Sequence, residues 1–493
     1  MPRHVTIEPR PGQSLSDQLF DLGVEFPCGG GSLCGGCRVR LLRGEVPVTE
    51  GMREALSDRE LAEGWRLACL AQAAGPVTLE VEQWSPHILT DDARLAAESR
   101  HGMGVAIDLG TTTLVAELVD LHTGEVLGVR TALNPQGRHG ADVMSRIEFD
   151  LRQPGLLTAL IRRALGEMVA GLAGGAPLIE VLLCGNTVMH HLFCGVSVEP
   201  LSHVPFHSPA LAERSFSATD LGWPCPIAQG VTFLPCVGGF VGSDLLCGLL
   251  ACKLADSQTP SALLDLGTNG EIAVAHRGRV LCASTAAGPA FEGGRIRMGM
   301  RAGDGAIDKV DLVQGELRCH VLGGCAPRGV CGSGLVDAAA AALDTGALAP
   351  SGRLNHGARV FALEGPVELI QADFRELQLA KGAIAAGLDL LTLRAGLTPD
   401  ALPDLHLAGA FGNYIRAASA RRIGLLPRSG ANVHASGNSA VRGARGLLLT
   451  PSRRASQLDA ILRAAEHMEL GSDRDFQESF VERMAFPDDS ASS

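Results

Sequence analysis

Aromatic residues are scarce in this chain of 493 residues, at 4% of the composition, and tyrosine occurs once. Proteins that bind single-stranded nucleic acid stack its bases on aromatic side chains, so this scarcity argues against such a surface. The formal net charge of −12 also opposes binding to a phosphate backbone, because that requires clustered positive charge. We therefore expect no nucleic-acid partner.

The sequence also lacks an apolar run of about 18 residues, the length that predicts a membrane-spanning helix. Residues 1–10 are charged and alternating, without the apolar core of a secretory signal. We therefore expect no membrane segment and a cytoplasmic location. In a reducing compartment, most of the 14 cysteines should be thiols or metal ligands and not disulfides.

The patterns that are present divide the chain into five segments. Residues 1–85 place strand-like and helical stretches around a Gly/Cys loop, which predicts a small β-grasp domain. Residues 86–102 form a polar connector that we predict to be helical. Apolar runs ending in Gly-rich turns, each followed by helical stretches, predict two α/β lobes at residues 103–255 and 256–465. Residues 466–493 are polar and predicted to be a frayed tail.

Four cysteines have the spacing of a 2Fe–2S site. Cys28, Cys34 and Cys37 lie on one loop, CGGGSLCGGC, and Cys69 follows in RLACLAQ. Three clustered thiolates plus a distant one is the plant-type pattern, here with one extra residue in the first gap. A zinc site usually shows two Cys-x-x-Cys pairs, and this region has one. The sequence therefore predicts a 2Fe–2S cluster of low potential, about −400 mV for its class.

The other ten cysteines allow two interpretations. Cys319, Cys325 and Cys331 are regularly spaced, so a second cluster is one reading. Small buried thiols are the other reading, and the one we favour, because free cysteine is among the most buried residue types.

An apolar strand ending in DLGT occurs twice, at residues 108–111 and 265–268. A Gly turn after a strand exposes backbone N–H groups that can hold phosphate oxygens, and neighbouring hydroxyls add donors. The alternatives are two ordinary β-hairpins or an α/β fold that binds no nucleotide. We predict that the phosphates contact Gly110, Thr111, Thr112, Gly267, Thr268 and Asn269.

Three aspartates and a later Gly turn complete the predicted ATP site. Asp108 and Asp265 stand at strand ends, where they can hold a hydrated Mg²⁺ ion. Asp244, in GGFVGSD, is the candidate to orient the attacking water or a metal-bound water. In GAFG, Gly409 and Gly412 would let adenine or ribose lie close to the backbone.

The motifs together resemble one family, the reductive activators of corrinoid proteins, over nearly the whole chain up to about residue 449. The matching stretches include AIDLGTTT, LNPQGRHGADVMSRI, LCGNTVMHHLF, LLDLGTNGEI, STAAGPAFEGG and AGAFGNYI. The resemblance implies a multidomain α/β and α+β fold: a 2Fe–2S ferredoxin domain followed by duplicated actin-like (RNase H-like) ATPase lobes. It implies ATP-dependent transfer of one electron that returns a stranded Co(II) corrinoid to Co(I).

The resemblance also implies partners. These are a corrinoid methyl-carrier protein and an electron donor, either a reductase or a ferredoxin. A homodimer is a further expectation, although the connector is shorter here than in some relatives. Ser284, in STAAGPAFEGG, is the residue that we expect to approach the cobalt. The alternative is that this loop only shapes the nucleotide cleft.

Three other functions remain open at this point. A plain ferredoxin whose large domain only binds a partner would not hydrolyse ATP. A sugar kinase with an added cluster would need a sugar pocket, of which the sequence shows no independent sign. An activator of a radical dehydratase would usually hold a 4Fe–4S cluster between subunits, which the set Cys28, Cys34, Cys37 and Cys69 argues against.

Overall fold

The computed structural model describes residues 3–10, 14–22, 24, 26, 37–81, 95–355, 357–398, 401–412, 414–428 and 430–488. Most of the Gly/Cys loop, including Cys28 and Cys34, lies outside these residues.

The N-terminal domain is a four-stranded antiparallel sheet with three short helices, and the order of its strands is β1-β4-β2-β3. Its elements are β1 (Arg3–Ile7), α1 (Leu15–Asp21), β2 (Arg38–Arg43), α2 (Glu50–Ala55), α3 (Asp58–Ala62), β3 (Trp65–Leu67) and β4 (Val77–Val81). Helix α1 is capped by Ser14, whose hydroxyl accepts from the N–H of Asp17 at 3.1 Å. Alternate residues of β4 are buried, as the strand pattern predicted.

The first lobe contains a six-stranded sheet in the order β7-β6-β5-β8-β10-β9. Its strands are β5 (Met103–Leu109), β6 (Thr113–Asp120), β7 (Val126–Leu133), β8 (Leu178–Gly185), β9 (Arg214–Phe216) and β10 (Val231–Phe233). Its helices are α4 (Val143–Arg152), α5 (Leu156–Ala173), α6 (Thr187–Cys194) and α7 (Ser243–Ala251). Strands β5, β8 and β10 run parallel, and β5, β6 and β7 form an antiparallel meander.

The second lobe repeats this plan in a sheet of order β20-β19-β11-β12-β13-β21. Its strands are β11 (Ser261–Leu266), β12 (Gly270–His276), β13 (Arg279–Thr285), β14 (Ala306–Val313), β15 (Glu316–Val321), β16 (Gly329–Val330), β17 (Val360–Ala362), β18 (Glu368–Ile370), β19 (Asp404–Ala408), β20 (Asn432–Ala435) and β21 (Ala465–His467). Its helices are α8 (Gly332–Asp344), α9 (Gln371–Arg394), α10 (Gly409–Gly412), α11 (Ala417–Arg422), α12 (Ser439–Leu449), α13 (Pro451–Ala464) and α14 (Arg474–Met484). Strands β11, β12, β13, β19 and β20 are arranged like β5, β6, β7, β8 and β10, so the two lobes share one topology.

Helices α7 and α12 cross between the two sheets and join the lobes through one apolar core. They approach closely because Gly443 has no Cβ; an added Cβ would overlap the carbonyl oxygen of Cys247. Arg445 of α12, 1% exposed, donates to the carboxylate of Glu117 in β6 at 3.1 Å. A helix of the second lobe therefore helps to hold the first lobe in place.

The polar segment after residue 465 is folded, so our expectation of a frayed tail is wrong for its described part. Strand β21 adds to the edge of the second sheet, beside β13, and α14 packs along α9. Phe476 and Phe486 are buried, and the Lys381 ammonium donates to the carbonyl of Ala485. The few apolar residues of this segment fall on one side, which a count of polar residues does not reveal.

The connector was predicted to be helical, and its described part, residues 95–102, contains no helix. Its backbone is tied to the end of α12, where the N–H of Glu98 donates to the carbonyl of Leu449 at 2.8 Å. The Glu98 carboxylate also accepts from the Ser452 hydroxyl at 2.6 Å. The described part of the connector binds along the junction of α12 and α13 and is not a solvated helix.

Candidate active site

A cleft between the two lobes brings both DLGT turns together. Ten of the residues predicted for the ATP site line it: Asp108, Gly110, Thr111, Thr112, Asp244, Asp265, Gly267, Thr268, Asn269 and Gly409. Each turn joins two antiparallel strands, β5 to β6 and β11 to β12, so the hairpin alternative describes the local geometry correctly. The hairpins nevertheless belong to two like lobes that face each other, as the nucleotide interpretation requires.

The turns touch across the cleft. The hydroxyl oxygens of Thr112 and Thr268 are 2.7 Å apart, which is a hydrogen bond between the lobes. Thr268 also donates to Glu292 at 2.9 Å, and Arg301 of the second lobe donates to the Thr113 hydroxyl at 3.0 Å. The lobes therefore stand in a closed arrangement.

The three predicted aspartates face one another in this cleft, and burial is the main cause of their perturbed pKa values. Burial raises the pKa of Asp108 to about 6, opposed by a hydrogen bond that the Asn438 amide donates at 2.8 Å. Burial raises the pKa of Asp265 to about 8, and the charges of Asp244 and Asp108 raise it further. Burial and then Asp108 also raise the pKa of Asp244, to about 7. Such a set of carboxylates favours a bound cation, which would compensate their charge.

Glu271 is a fourth carboxylate of the cleft that sequence reasoning missed as a site residue. It lies opposite Asp265 in the pairing of β11 with β12, and it is 7% exposed. Burial first, and then Asp244 and Asp265, raise its pKa well above the ordinary glutamate value. Its position in LLDLGTNGEI, six residues after Asp265 across a hairpin, was the available signal.

The carboxylates are suited to a metal ion that keeps its water. Among the residues that the structure describes, no group of three or more His, Cys, Asp or Glu side chains is arranged to ligate one metal directly. Mg²⁺ commonly retains several waters, and those waters are what Asp108, Asp244 and Asp265 could hold by hydrogen bonds. Cys319, Cys325 and Cys331, considered for a second metal cluster, belong to no such group in the described part of the chain.

Three asparagines that sequence reasoning did not assign hold the first turn. Asn134 donates its amide to the carbonyl of Gly110 at 2.9 Å, and Asn186 donates to the Thr111 hydroxyl at 2.9 Å. Asn438 caps α12 and bonds Asp108. Asn134 and Asn186 lie in LNPQGRHG and LCGNTVMHH, motifs that carried the family resemblance without a stated role.

Gly409 lines the cleft, and Gly412 is not among its lining residues. The φ angle of Gly409 is +84°, and an added Cβ would lie 2.7 Å from the carbonyl oxygen of Leu266 and 2.8 Å from the Asp265 carboxylate. Gly412 is not among the lining residues; an added Cβ there would meet the backbone of Leu407 at 3.0 Å. Gly412 therefore allows α10 to pack on β19, and Phe411 lines the cleft in its place.

Ser284 likewise stands outside the lining residues of the cleft. It lies on β13 opposite Glu271, and its hydroxyl donates to the Glu271 carboxylate at 3.4 Å. Phe291 and Glu292, later in the same loop, do line the cleft, and the Phe291 ring stacks on Phe411 with centroids 4.7 Å apart. This part of the loop shapes the cleft, while Ser284 contacts it through Glu271.

The N-terminal domain brings two predicted cluster ligands together. Cys37 stands just before β2 and is 2% exposed, and Cys69 lies in the 3-10 turn Ala68–Leu70 and is half-buried. The N–H of Cys69 donates to the Cys37 sulfur at 3.4 Å. Thiols from two separate segments that converge with a backbone N–H directed at sulfur fit an iron–sulfur cluster. Cys28 and Cys34 lie outside the described residues.

In the described part of the chain, no helix is long and apolar enough to cross a membrane.

Family models match the chain in three consecutive parts. Residues 1–74 match the 2Fe-2S iron-sulfur cluster binding domain, residues 103–257 the RACo middle region, and residues 259–493 the C-terminal domain of RACo, the ASKHA domain.

Curated relatives and a solved structure cover most of the chain. The corrinoid activation enzyme RamQ of Eubacterium limosum is 36% identical over 420 residues, which are 78% of this chain and 70% of RamQ. The [Co(II) methylated amine-specific corrinoid protein] reductase of Methanosarcina barkeri is 27% identical over 424 residues, 78% of this chain and 77% of that protein. The solved structure of a reductive activator for corrinoid,iron-sulfur protein matches with a TM-score of 0.72 at 25% identity. The match covers 98% of this chain and 96% of the chain in that structure. With its ferredoxin domain, its paired ATPase lobes and these likenesses, the chain belongs to the family of reductive activators of corrinoid proteins.

Proposed function

We propose that this protein is an ATP-dependent activator that reduces an inactive Co(II) corrinoid of a methyl-carrier protein to Co(I). The observation that carries the proposal is the union of two sites in one chain: an interlobe cleft lined by both DLGT turns, and converging thiols in a ferredoxin domain. We also propose that a separate reductase or ferredoxin supplies the electrons and that the protein acts as a homodimer.

Cys28, Cys34, Cys37 and Cys69 are the proposed ligands of a 2Fe–2S cluster, which accepts and donates single electrons at low potential when bound. The chain's own contribution is visible at two of them. Burial of Cys37 limits the access of water to its sulfur, and the Cys69 N–H stabilises negative charge on that sulfur. Hydrogen bonds and exposure of this kind tune cluster potentials.

The proposed ATP site uses backbone and side chains of both lobes. The turns at Gly110 and Gly267 can donate backbone N–H groups to phosphate oxygens, and Thr111 and Thr268 can add hydroxyls. Asp108 and Asp265 hold the waters of Mg²⁺, and Asp244, in the first turn of α7, orients the attacking water. The open backbone at Gly409 and the Phe411 ring would receive the adenosine.

ATP is needed because the reduction of a Co(II) corrinoid is uphill from a ferredoxin-like donor. For a one-electron step, each ~59 mV of mismatch lowers the equilibrium constant tenfold. A protein that binds the two cobalt states differently can offset this mismatch, and ATP can change that preference through its own differential affinity for open and closed lobes. Thr112 and Thr268 meet across the cleft, so a bound nucleotide would change the separation of the lobes at these two residues.

Ser284 is the proposed contact with the corrinoid. It is half-buried beside the exposed residue Ala286, in a loop of small residues that permits close approach of a planar ring. Its hydrogen bond to Glu271 places it one side chain away from the carboxylates of the ATP site. A spectral assay of corrinoid reduction with Ser284→Ala tests it: activation equal to that of the parent would leave the loop as a wall of the nucleotide cleft only.

The cluster assignment is tested by iron content. We expect about two irons per chain in the parent and loss of iron in the double variant Cys34→Ala, Cys37→Ala. Cys325→Ala is the matched control, since Cys325 is exposed and lies in the second lobe. Iron that survives in the double variant would contradict the assignment.

The coupling is tested by the absorbance of Co(I) in a mixture of the protein, a corrinoid protein and a one-electron donor. We expect its appearance to require ATP and to be lost in Asp108→Ala. The same rate and extent without ATP would refute the coupling. Absence of ATP hydrolysis by the parent would favour the alternative, a ferredoxin-like carrier whose large domain only binds a partner.

A further inference from the structure

Among the residues that the structure describes, α1 of the ferredoxin domain contacts the first lobe at the 3-10 turn Pro135–Arg138, which follows β7. The Arg138 guanidinium lies 4.5 Å from the centroid of the Phe20 ring, on α1. The ring also lies beside Gly137, where an added Cβ would be 3.8 Å from it, an ordinary contact distance. The Phe20 ring in turn lies 5.8 Å from that of Phe26, two residues before the predicted ligand Cys28. This contact joins the first lobe to the base of the cluster loop.

The same 3-10 turn is hydrogen-bonded, through its capping residue Asn134, to the first DLGT turn, where we predict that phosphate binds. The N–H of Asn134 donates to the carbonyl of Thr112 at 2.8 Å, and its side chain donates to the carbonyl of Gly110 at 2.9 Å. Gln136, fully buried, donates from its backbone to the Asn134 side chain at 3.0 Å. Arg146 donates to the Gln136 side chain at 3.3 Å. A displacement of the Gly110–Thr112 backbone would therefore be carried through hydrogen bonds to Asn134 and Gln136, and so to the turn that contains Arg138.

The ferredoxin domain also faces the second lobe. Burial lowers the pKa of Arg328, and the charge of Glu80 on β4 opposes that shift. Arg328 is three residues before Cys331, which lines the cleft, and its N–H donates to the carbonyl of Gly305 at 2.9 Å. The domain thus contacts one lobe through α1 and lies within electrostatic reach of the other through β4, and both contact segments lead to the cleft.

We propose that this docking is the output of the ATP site: nucleotide entering the cleft loosens the contact between Arg138 and Phe20 and frees the redox domain to meet its partner. The inference rests on the proposed ATP site. The oxygens of Thr112 and Thr268 are 2.7 Å apart, which leaves no room for a phosphate group between them. Phosphates held by both turns must separate these hydroxyls and shift the Gly110–Thr112 backbone to which Asn134 is bonded.

The inference can be measured because nucleotide binding and domain docking must affect each other equally. If nucleotide weakens docking, removal of the docking contact must tighten nucleotide binding by the same factor. A cation over an aromatic ring at a partly exposed site stabilises by an amount that corresponds to a factor of about two to five. Arg138→Ala should therefore bind a non-hydrolysable Mg–ATP analogue about two- to fivefold more tightly than the parent does. Arg152→Ala is the matched control, because Arg152 is 72% exposed on α4 and pairs with Glu148 of the same helix.

The experiment combines calorimetry with amide hydrogen exchange on the full anaerobic protein. In the parent, the analogue should raise exchange in residues 15–22 about two- to fivefold, by the same coupling. In Arg138→Ala, exchange there should already be high without nucleotide, and Arg138→Lys should fall between the two. Thermal unfolding checks that each variant folds, and Phe20→Leu repeats the test from the other side of the contact.

Two outcomes separate this inference from the proposed function. A parent protein that binds no nucleotide by calorimetry would overturn the proposed ATP site. Bound analogue with unchanged exchange in residues 15–22, or Arg138→Ala with the nucleotide affinity of the parent, would overturn the docking inference alone.

Discussion

The two DLGT turns have the same sequence and different surroundings. At the first, Gly110 donates its N–H to the carbonyl of Thr113 at 3.1 Å, and an added Cβ would lie only 2.5 Å from that oxygen. At the second, an added Cβ on Gly267 would lie 3.5 Å from the carbonyl of Asn269, an ordinary contact distance. A side chain at Gly110 would therefore clash with the backbone of the first turn, while the second turn has space for a Cβ at Gly267.

The two aspartates differ in the same way. Asp108 accepts a hydrogen bond from Asn438, and its pKa is raised only to about 6, whereas burial and two neighbouring carboxylates raise the pKa of Asp265 to about 8. Near neutral pH and without a cation, Asp108 is mostly ionised and Asp265 mostly protonated. A duplicated motif thus provides one charged and one proton-holding carboxylate, because the second half of the chain supplies an amide to the first turn.

The largest effect should come from removing the carboxyl group of Asp108 or of Asp265. Asp108→Asn and Asp265→Asn should each lower kcat for ATP hydrolysis by about 10²-fold, because each loses a group that holds the waters of the metal. Asp256→Asn, at an exposed position outside the cleft lining, is the control. Hydrolysis at the parent's rate in both variants would place the site elsewhere.

Alanine substitutions of Gly110 and Gly267 should lower the free energy of unfolding by different amounts, because only the first turn lacks space for a Cβ. Gly110→Ala should lower the free energy of unfolding by about 1–3 kcal/mol, because its Cβ overlaps backbone that cannot rotate away. Gly267→Ala should change it by less than about 0.5 kcal/mol. Denaturant unfolding of the two variants side by side measures the difference, and equal losses would contradict the steric distinction.

The proton held by Asp265 should make the affinity for Mg–ATP depend on pH. Its pKa is about 8 in the folded state and about 3.9 in an unfolded chain, so the metal-free protein is stabilised at low pH and loses that contribution as pH rises through about 8. A bound cation displaces this proton, so the affinity for Mg–ATP should rise by up to about tenfold per pH unit between pH 6 and 8. Calorimetry of Asp265→Asn should give a flatter profile. The titration of ATP itself is common to both proteins, and identical profiles would exclude a role for Asp265.

The smallest effect concerns the hydroxyls that meet across the cleft. Thr112→Val removes one hydrogen bond, and Thr268→Val removes that bond and the one to Glu292. Each bond contributes about 0.5–1.5 kcal/mol, so Thr268→Val should lower the stability more. A double variant no less stable than Thr268→Val alone would confirm that the shared bond is counted once.

Much of the site could be predicted because its chemistry is local in sequence. A strand, a Gly turn and hydroxyls occur within a few residues at both DLGT motifs, and the two copies predicted two facing lobes. Glu271 and Asn134 could not be assigned in this way. The role of Glu271 depends on pairing across strands, which its spacing from Asp265 signals only once the hairpin is known. The role of Asn134 depends on a turn that folds back beneath Gly110, and the motif does not express that contact.

The tail and the connector show why some predictions failed. Both are rich in polar residues, and both were interpreted from composition alone. The structure uses a few side chains in each, such as Phe476 and Phe486 in the tail and Glu98 in the connector, to bind them to the lobes. Composition averages over a segment, whereas docking depends on which few side chains share one face.

Local patterns were enough to predict the class of this protein: spaced cysteines indicate a cluster, repeated Gly turns indicate a nucleotide site, and no apolar run is long enough for a membrane. The folded arrangement was needed to show which carboxylate keeps its proton, which glycine cannot change, and which lobe each helix supports. Those properties depend on groups distant in the chain, such as Asn438 beside Asp108 and Arg445 beside Glu117. Burial and Coulomb interactions act through space, so the order of residues alone does not reveal them.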